Sequence, residues 1–329
     1  MQDQSSGNTD KQATVLVTRQ LPDAVEARLR RDYDARLNPR DVVYTSREII
    51  ELSQGADAIV PCHTEKLTAE VIAQLPESVR AICSFSVGFD HIDLAAAKSR
   101  NIVVTNTPEV LSDATAEVAM LLLLGAARRA YEGEHQIRTE TWADWSATYH
   151  LGLQVTGKRL GILGMGRVGR IMAKCARGFD MQIHYYNRKR LPSQLELDAV
   201  YHDSVEALLP HCDFLSIHCP ATPETHHLLN RQRIALLPDE AIVVNTARGT
   251  VVDDAALIEA LQSGKLFAAG LDVFNGEPNI DPRYKTLHNT FLLPHIGSAT
   301  RETRDAMGFR ALDNLDAVMR GDEPRDRLV

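Results

Sequence analysis

Short apolar runs alternate along this chain with longer segments in which apolar residues recur every three or four positions. The first third contains two segments with helical spacing, at 23–33 and 68–76. Around them lie runs with the β-branched composition of buried strands: TVLVT (14–18), DAIVP (57–61), AICSFS (81–86) and IVVTN (102–106). Strands that alternate with helices predict a small parallel α/β unit.

A second, larger unit continues the alternation. It opens with a long predicted helix that has Ser112 or Asp113 as a plausible N-cap and extends to about Tyr131. A last helical segment, 301–321, has no strand after it, so we expect it to pack back on the first unit. Between these helices lie six apolar runs: RLGILG (159–164), QIHYYN (182–187), FLSIHC (214–219), AIVVNTA (241–247), FAAGLDVF (267–274) and FLLPHI (291–296).

The predicted fold class is α/β, with two Rossmann-like domains that each contain a doubly wound parallel sheet. A chain of 329 residues is long for one hydrophobic core, which agrees with two domains. The expected boundaries are 13–106 plus 300–329 for one domain and 107–299 for the other, after a flexible N-terminal tail over 1–12.

Composition and charge argue against several classes of protein. A net charge of −8 at pH 7 argues against a nucleic-acid-binding protein, because phosphate backbones attract a basic face. The longest apolar run, VAMLLLLGAA (118–127), is too short to span a bilayer, and the polar N-terminus lacks the apolar core of a signal peptide. The five cysteines are odd in number and have no zinc-like spacing. We therefore expect buried free thiols, a cytoplasmic location and no metal.

Glycines at a strand-to-helix junction carry the first candidate chemistry. In the run RLGILGMGRVGR (159–170), the glycine loop follows an apolar strand-like segment and precedes a helical one. In a dinucleotide-binding loop, Gly164 would form the tight turn, Gly166 would let the backbone approach a pyrophosphate, and Gly169 would let helix and strand pack closely. The N–H groups of Arg167 and Val168 would then face the phosphates at the helix N-terminus. A glycine-rich turn without a ligand is the alternative.

The end of the next apolar run departs from the usual dinucleotide pattern, in which an acid accepts hydrogen bonds from the adenosine ribose. Here Asn187 stands 187 − 164 = 23 residues past Gly164, and Arg188 and Lys189 follow it. A carboxylate would repel the 2′-phosphate of NADP by about 4 kcal/mol at 4 Å and an effective dielectric of 20. Neutral Asn187 removes this repulsion, and the two cations offer charge-assisted donors. The run therefore favours NADP, and a solvated basic turn is the alternative.

Three further polar residues follow predicted strands: Arg248, Glu277 and His295. The carboxyl ends of parallel strands meet at one edge of a sheet, where open α/β sheets bind ligands. An arginine can grip a carboxylate and a neighbouring carbonyl, and a histidine can protonate a nascent alkoxide. A glutamate bonded to that histidine would stabilise the imidazolium. Taken singly, each has an ordinary alternative: a surface ion pair, a turn residue and a buried histidine.

Several long motifs in a fixed order resemble the D-2-hydroxyacid dehydrogenase family, and within it the NADP-dependent glyoxylate/hydroxypyruvate reductases. The resemblance extends from about Asp57 to Asp322 and rests on SVGFDHID (86–93), GKRLGILGMGRVGR (157–170), HCPATPETHHLLN (218–230), NTARGTVVDDAAL (245–257), GLDVFNGEP (270–278) and LLPHIGSAT (292–300). It implies that Arg248 binds substrate, Glu277 orients and tunes the histidine, and His295 is the catalytic acid/base.

The resemblance also implies the domain roles and the ligand contacts. The domain 13–106 plus 300–329 would be the flavodoxin-like substrate-binding domain and 107–299 the dinucleotide-binding domain, with the active site in the cleft between them. Substrate contacts are implied for the N–H groups of Val87 and Gly88, for Arg248, His295 and Ser298, and for Trp145 of the partner subunit. Cofactor contacts are implied for Thr115, Gly164, Gly166, Arg167, Val168, Gly169, Asn187, Arg188, Lys189, Cys219, Thr225, Thr246, Ala247, Asp272 (at the nicotinamide amide), His295 and Gly297.

The implied reaction is hydride transfer from NADPH to the C2 carbonyl of glyoxylate or hydroxypyruvate, which yields a D-2-hydroxy acid, with domain closure to exclude water. Glu277 argues against the related formate dehydrogenases, which pair the histidine with glutamine. In the reductases, the second tryptophan of a stretch like TWADWSATYHLG (141–152) reaches into the partner's site. We therefore expect a homodimer to which the helix 112–131 supplies interface, although either tryptophan could instead be a core anchor. The alternatives are a dinucleotide-sensing corepressor and a family member that acts on another 2-hydroxy acid.

Overall fold

The structure, a computed structural model, describes residues 12–329; the tail predicted over 1–12 therefore lies outside the described residues except for Gln12. The chain forms two compact units. The first unit comprises residues 12–110 together with Thr300–Val329, and the second comprises Leu111–Ala299. Among the helices of residues 12–329, none is both long and apolar enough to cross a membrane.

The first unit is a five-stranded parallel sheet with helices against it. Its strands are β1 (Thr14–Val17), β2 (Asp34–Arg36), β3 (Ala58–Val60), β4 (Ala81–Cys83) and β5 (Val103–Thr105), in the order β2-β1-β3-β4-β5. Its helices are α1 (Asp23–Asp32), α2 (Ser46–Leu52), α3 (Ala69–Gln74), α4 (Leu94–Ser99) and, numbered last in the chain, α12 (Arg301–Arg320). The helix α12 packs against β4, β5 and α1. A side chain at Gly308 would collide with Val25 of α1, so this position requires glycine.

The second unit is a seven-stranded parallel sheet. Its strands are β6 (Arg159–Leu163), β7 (Gln182–Tyr186), β8 (Val200–His202), β9 (Phe214–Ile217), β10 (Ala241–Asn245), β11 (Leu266–Leu271) and β12 (Thr290–Leu292). Its helices are α5 (Ser112–Ala127), α6 (Ala130–Arg138), α7 (Arg167–Arg177), α8 (Ser193–Glu196), α9 (Val205–Leu208), α10 (Arg231–Leu236) and α11 (Asp254–Gln262). The strand order is β12-β11-β10-β9-β6-β7-β8, so the direction of winding reverses between β6 and β9. Ligands bind at such a switch point, beyond the carboxyl ends of the strands.

The predicted helix 112–131 is wrong in its end and in its cap. The helix α5 ends at Ala127, Arg129 adopts a left-handed φ of 53°, and α6 begins at Ala130. A left-handed residue breaks the helical hydrogen-bond ladder. The Arg129 guanidinium donates two hydrogen bonds of 2.8 Å to Glu132 in the new helix. The N-cap position is Leu111, which makes no side-chain capping bond, because Ser112 is already helical and buried.

Candidate active site

The glycine loop joins β6 to α7 at the switch point of the second unit. Gly164 has a φ of 95°, and a Cβ there would lie 2.6 Å from the backbone nitrogen of Cys219. A Cβ at Gly169 would collide with the carbonyl oxygen of Gly164. At Gly166, by contrast, no atom of the described residues beyond its own chain neighbours lies within 4 Å of a Cβ position. Two glycines are thus required by the backbone, and the third faces open space beside the first turn of α7, where Arg167 and Val168 lie.

Asn187 follows β7 and faces the glycine loop. Its Oδ1 accepts a 2.7 Å hydrogen bond from the N–H of Met165, so the remaining side-chain group is the NH₂ donor. Arg188 and Lys189 are exposed. Arg190 is instead bound to Glu196, at 2.8 and 3.0 Å, and its guanidinium lies over the Tyr201 ring. Hydrogen bonds from Arg190 and then Tyr185 lower the pKa of Glu196.

The segment after β9 borders the glycine loop. The half-buried Cys219 lies with its backbone against Gly164. In the following turn, Thr225 Oγ1 donates to the carbonyl of Pro220 at 2.7 Å and accepts from the N–H of Thr222 at 2.8 Å. The single donor of the Thr225 hydroxyl is therefore used within the turn.

His218, for which the motifs imply no role, holds the side chain of the predicted cofactor residue Thr246. Its Nε2 lies 2.8 Å from Ser216 Oγ and its Nδ1 lies 3.3 Å from Thr246 Oγ1. Burial lowers the pKa of His218 to about 4, so the ring is neutral at pH 7 and can serve as donor on one side and acceptor on the other. His218 thereby fixes the buried Thr246 side chain at the end of β10.

Arg248, Glu277 and His295 follow the adjacent strands β10, β11 and β12 at their carboxyl ends. His295 Nδ1 lies 2.7 Å from Glu277 Oε2. The other oxygen, Oε1, accepts the N–H of Phe274 at 2.7 Å. Because the carboxylate holds Nδ1, proton exchange with a substrate would take place at Nε2.

The turn that carries Arg248 is built by its neighbours. The buried Asn245 side chain accepts the N–H of Ala247 at 2.9 Å and donates to the carbonyl of Arg248 at 3.0 Å. A side chain at Gly249 would collide with the backbone of Phe274. The Arg248 turn therefore packs directly on the loop that holds Glu277, which couples the two positions.

The backbone of His295 is strained and is held by Asp272. Its φ of 54° is left-handed, and its N–H donates to the carbonyl of Asp272 at 2.8 Å. The Asp272 carboxylate accepts the N–H groups of Ile296 at 2.7 Å and of Gly297 at 2.8 Å. Burial is the largest influence on Asp272 and raises its pKa. Gly297 leads to Ser298 and borders Thr115, whose hydroxyl would lie 3.5 Å from a Cβ at Gly297.

The remaining predicted substrate residues are Val87 and Gly88 in the first unit and Trp145 in the second. In the first unit, the carbonyl of Val87 accepts from Asn106 Nδ2 at 2.8 Å and that of Gly88 from Ser86 Oγ at 2.7 Å, which fixes both peptide groups. In the second unit, Trp145 is 74% exposed. It lies in a stretch without helix or strand, as its polar composition predicted.

Residues 120–297 match the family described as D-isomer specific 2-hydroxyacid dehydrogenase, NAD binding domain. The chain belongs to this family. A glycerate dehydrogenase from Hyphomicrobium methylovorum is 47% identical over 309 residues, which are 93% of this chain and 96% of that protein. A glyoxylate reductase from Thermococcus litoralis is 40% identical over 315 residues, 94% of this chain and 95% of that protein. The structure of an NADPH-dependent glyoxylate/hydroxypyruvate reductase from Sinorhizobium meliloti, in complex with NADP and malonate, gives a TM-score of 0.85 at 29% identity over 97% of each chain.

These similarities confirm the resemblance found in the motifs, and the two parallel sheets confirm the α/β, Rossmann-like fold class. As a D-2-hydroxyacid dehydrogenase, the protein is an oxidoreductase with a dinucleotide-binding domain, and its family acts on small 2-oxo and 2-hydroxy acids.

Proposed function

We propose that this dehydrogenase reduces short 2-oxo acids, glyoxylate and hydroxypyruvate above all, to 2-hydroxy acids with NADPH, and that the product has the D configuration where C2 is chiral. The observation that carries the proposal is the 2.7 Å hydrogen bond between His295 and Glu277. It lies at the carboxyl ends of the strands of the second sheet, where Arg248 also lies. This arrangement provides a proton donor, a carboxylate that supports it and a fixed cation for an anionic substrate. These are the groups that reduction of a 2-oxo acid requires.

Each residue then has a defined task. The guanidinium of Arg248 binds the substrate carboxylate and polarises the C2 carbonyl. Nε2–H of His295 donates the proton to the carbonyl oxygen as it becomes an alkoxide, and Glu277 stabilises the imidazolium before that transfer. The N–H groups of Val87 and Gly88 hold the substrate carboxylate, and Ser298 adds a hydroxyl contact. When bound, the reduced nicotinamide supplies the hydride for C2.

The glycine loop suits the pyrophosphate of the dinucleotide, because the backbone at Gly166 faces open space at a helix N-terminus. We assign Thr115, Cys219, Thr225, Thr246, Ala247 and Gly297 to the remainder of the cofactor path, and Asp272 to the nicotinamide amide.

The preference for NADPH rests on the residues after β7. The NH₂ group of Asn187 and the exposed Arg188 and Lys189 are donors, whereas a carboxylate at this point would repel a 2′-phosphate. The reductase from Sinorhizobium meliloti, described as NADPH-dependent, supports this choice.

The relatives support the choice of substrates. One is a glycerate dehydrogenase and another a glyoxylate reductase, and both reactions involve 2-oxo acids of two or three carbons.

All five cysteines are free thiols, which supports a reducing cytoplasm. We also propose a homodimer in which Trp145 of the partner subunit lies near the substrate.

A panel of 2-oxo acids assayed with NADPH and with NADH tests the function. We expect the highest kcat/KM for glyoxylate or hydroxypyruvate with NADPH. Highest kcat/KM for a different 2-oxo acid would reassign the substrate, and a preference for NADH would contradict the cofactor assignment. Dinucleotide binding without turnover of any 2-oxo acid would favour the corepressor-like alternative.

A further inference from the structure

The loop between β11 and β12 carries Glu277 in a solvent-exposed turn. Gly276 has a left-handed φ of 72°, and its carbonyl accepts the N–H of Asn279 at 2.8 Å. The side chain of Glu277 is 29% exposed to solvent. An exposed turn makes few apolar contacts, so the position of Glu277 depends on polar anchors at the edges of the loop.

Asp254, the first residue of α11, provides such an anchor from outside the loop. Its Oδ2 accepts Asn275 Nδ2 at 2.8 Å and its Oδ1 accepts the hydroxyl of Tyr284 at 2.7 Å. Tyr284 is fully buried, and its ring meets Phe274 edge to face at 5.9 Å. Burial and then the bond to Asp254 raise the pKa of Tyr284, which keeps the phenol a donor. One carboxylate therefore binds residues on both sides of Glu277.

The contacts continue from this anchor to the proposed acid. Asn275 directly follows Phe274, whose N–H binds Glu277 Oε1 at 2.7 Å, while Oε2 binds His295. We propose that Asp254 is a positioning residue: by binding Asn275 and Tyr284, it fixes the loop in the place from which Glu277 orients His295. The inference rests on the acid/base role of His295 proposed above.

The neighbouring Asp253 offers a matched control. Its side chain caps α11 by accepting the N–H groups of Ala255 at 3.1 Å and Ala256 at 3.3 Å. Both aspartates thus lie at the same helix terminus, but Asp253 stabilises the helix whereas Asp254 also holds the loop. A purely structural role for Asp254 predicts that the two substitutions have the same consequences.

The experiment compares Asp254→Ala and Asp253→Ala in the wild-type and Glu277→Gln backgrounds. We expect Asp254→Ala to lower kcat for reduction about tenfold to a hundredfold, with little change in KM, because a small misplacement of a catalytic group has effects of this size. The alkaline limb of the pH profile should move to lower pH, since a displaced carboxylate stabilises the protonated acid less. In the Glu277→Gln background, Asp254→Ala should lower kcat by less than about twofold. Asp253→Ala should lower the melting temperature by a few degrees and leave the profile unmoved.

Equal losses of kcat from Asp254→Ala in both backgrounds, or a lower melting temperature with an unmoved profile, would overturn the inference. If Asp254→Ala does not fold, Asn275→Ser and Tyr284→Phe each remove one of the two hydrogen bonds and carry the same expectations. Titration of the His295 ring by NMR separates this inference from the proposed function, because it needs no turnover. A midpoint displaced by Asp254→Ala but not by Asp253→Ala would support positioning even if wild-type protein turned over no 2-oxo acid, and an undisplaced midpoint would contradict it.

Discussion

Both oxygens of the Glu277 carboxylate are occupied, one by the N–H of Phe274 and the other by the His295 ring. A glutamine could accept only one of these bonds, because its NH₂ group has no acceptor capacity. Both oxygens of the Asp272 carboxylate are also occupied, because they accept the two backbone N–H groups that follow His295. At the scale of single residues, the site is therefore held by carboxylates with two acceptors each, which orient a histidine whose backbone is left-handed.

The acid role of His295 predicts the behaviour of two substitutions. His295→Ala should lower kcat about 10²–10⁴-fold, the usual contribution of general acid catalysis, because the alkoxide would lose its positioned proton donor. Since the proposed cofactor contacts of the glycine loop are untouched, NADPH affinity should stay nearly unchanged in a fluorescence titration. Arg248→Ala should in addition raise KM, because the guanidinium holds the substrate before and during the reaction. Turnover of His295→Ala near the wild-type rate would remove the acid assignment.

The donors after β7 predict how cofactor choice responds to substitution. Arg188→Ala should lower kcat/KM for NADPH about tenfold to a hundredfold and spare NADH, because a charge-assisted hydrogen bond contributes about 1.5–3 kcal/mol. Asn187→Asp should favour NADH, since its carboxylate accepts from the ribose and repels the phosphate. The matched control is Arg190→Ala, because Arg190 is bound to Glu196 and its loss should not alter the ratio of the two cofactors. If Arg188→Ala weakens both cofactors equally, the run is only a solvated basic turn.

At the scale of elements, most of the predicted strands bury their side chains on both faces of the sheet. Such strands appear in the sequence as continuous apolar runs, as in β9 and β10, where every residue is buried. The pattern did not predict β2 and β8, which are three residues each and lie at sheet edges with exposed or half-buried side chains. Their sequences, DAR in β2 and VYH in β8, contain no apolar run to detect.

The residues of the candidate site also fall into two groups: those that local sequence patterns predict and those that they do not. Arg248, Glu277, His295 and the three glycines could be predicted because each lies at a fixed distance from an apolar strand within a motif. Asp254 could not, because its bond to Tyr284 joins residues 30 positions apart, and no local pattern encodes that contact. The break at Arg129 was missed because its residue types suit a helix, and the left-handed turn depends on contacts with Glu132 and with the carbonyl of Leu151.

A cluster of histidines on β7, β8 and the turn before β9 predicts a pH-dependent stability. His184 is buried, its Nδ1 lies 3.0 Å from His202 Nε2, and its ring stacks on His211 at 5.2 Å. Burial, then His202, His211 and Arg159, lower the pKa of His184 to about 4, against the small opposing effect of Asp213. Because the unfolded state binds the proton more readily, stability is fully present above about pH 6.5 and is lost as the pH falls toward 4.

The free energy of urea unfolding at pH 7 and pH 5 measures this effect. For His184 alone, the difference should be about 2 kcal/mol in favour of pH 7. His184→Phe keeps a flat ring but has no proton to bind, so the difference should shrink by about that amount. His226→Phe, at an exposed histidine outside the cluster, is the control and should leave the difference as it is. An undiminished difference in His184→Phe would show that other groups cause the loss of stability in acid.

At the scale of the whole molecule, the exposed apolar surface is concentrated in one segment. Six of the fourteen large apolar side chains that are exposed among residues 12–329 lie between 131 and 151: Tyr131, Ile137, Trp142, Trp145, Tyr149 and Leu151. The helix α5, expected to supply a subunit interface, instead buries most of its surface against β10, β11 and α7 of its own unit. Exposed apolar patches in soluble proteins mark interaction sites, so a partner is expected on the segment 131–151 rather than on α5.

A second copy of the chain is the partner we expect there, and a complementation experiment tests both the dimer and the place of Trp145. Sedimentation at micromolar concentration should give the mass of a dimer, and a monomer would exclude the proposal.

Trp145→Ala and His295→Ala should each be impaired when pure, because one lacks the partner's tryptophan in every site and the other lacks the acid. After the two variants are mixed and allowed to exchange subunits, half of the dimers should be mixed. In each of these, the site with His295 also receives an intact Trp145 from the partner subunit. About a quarter of all sites should then regain wild-type kcat/KM, measured at low substrate concentration. If Trp145 acted only within its own chain, the mixture would show no more than the average of the two pure variants.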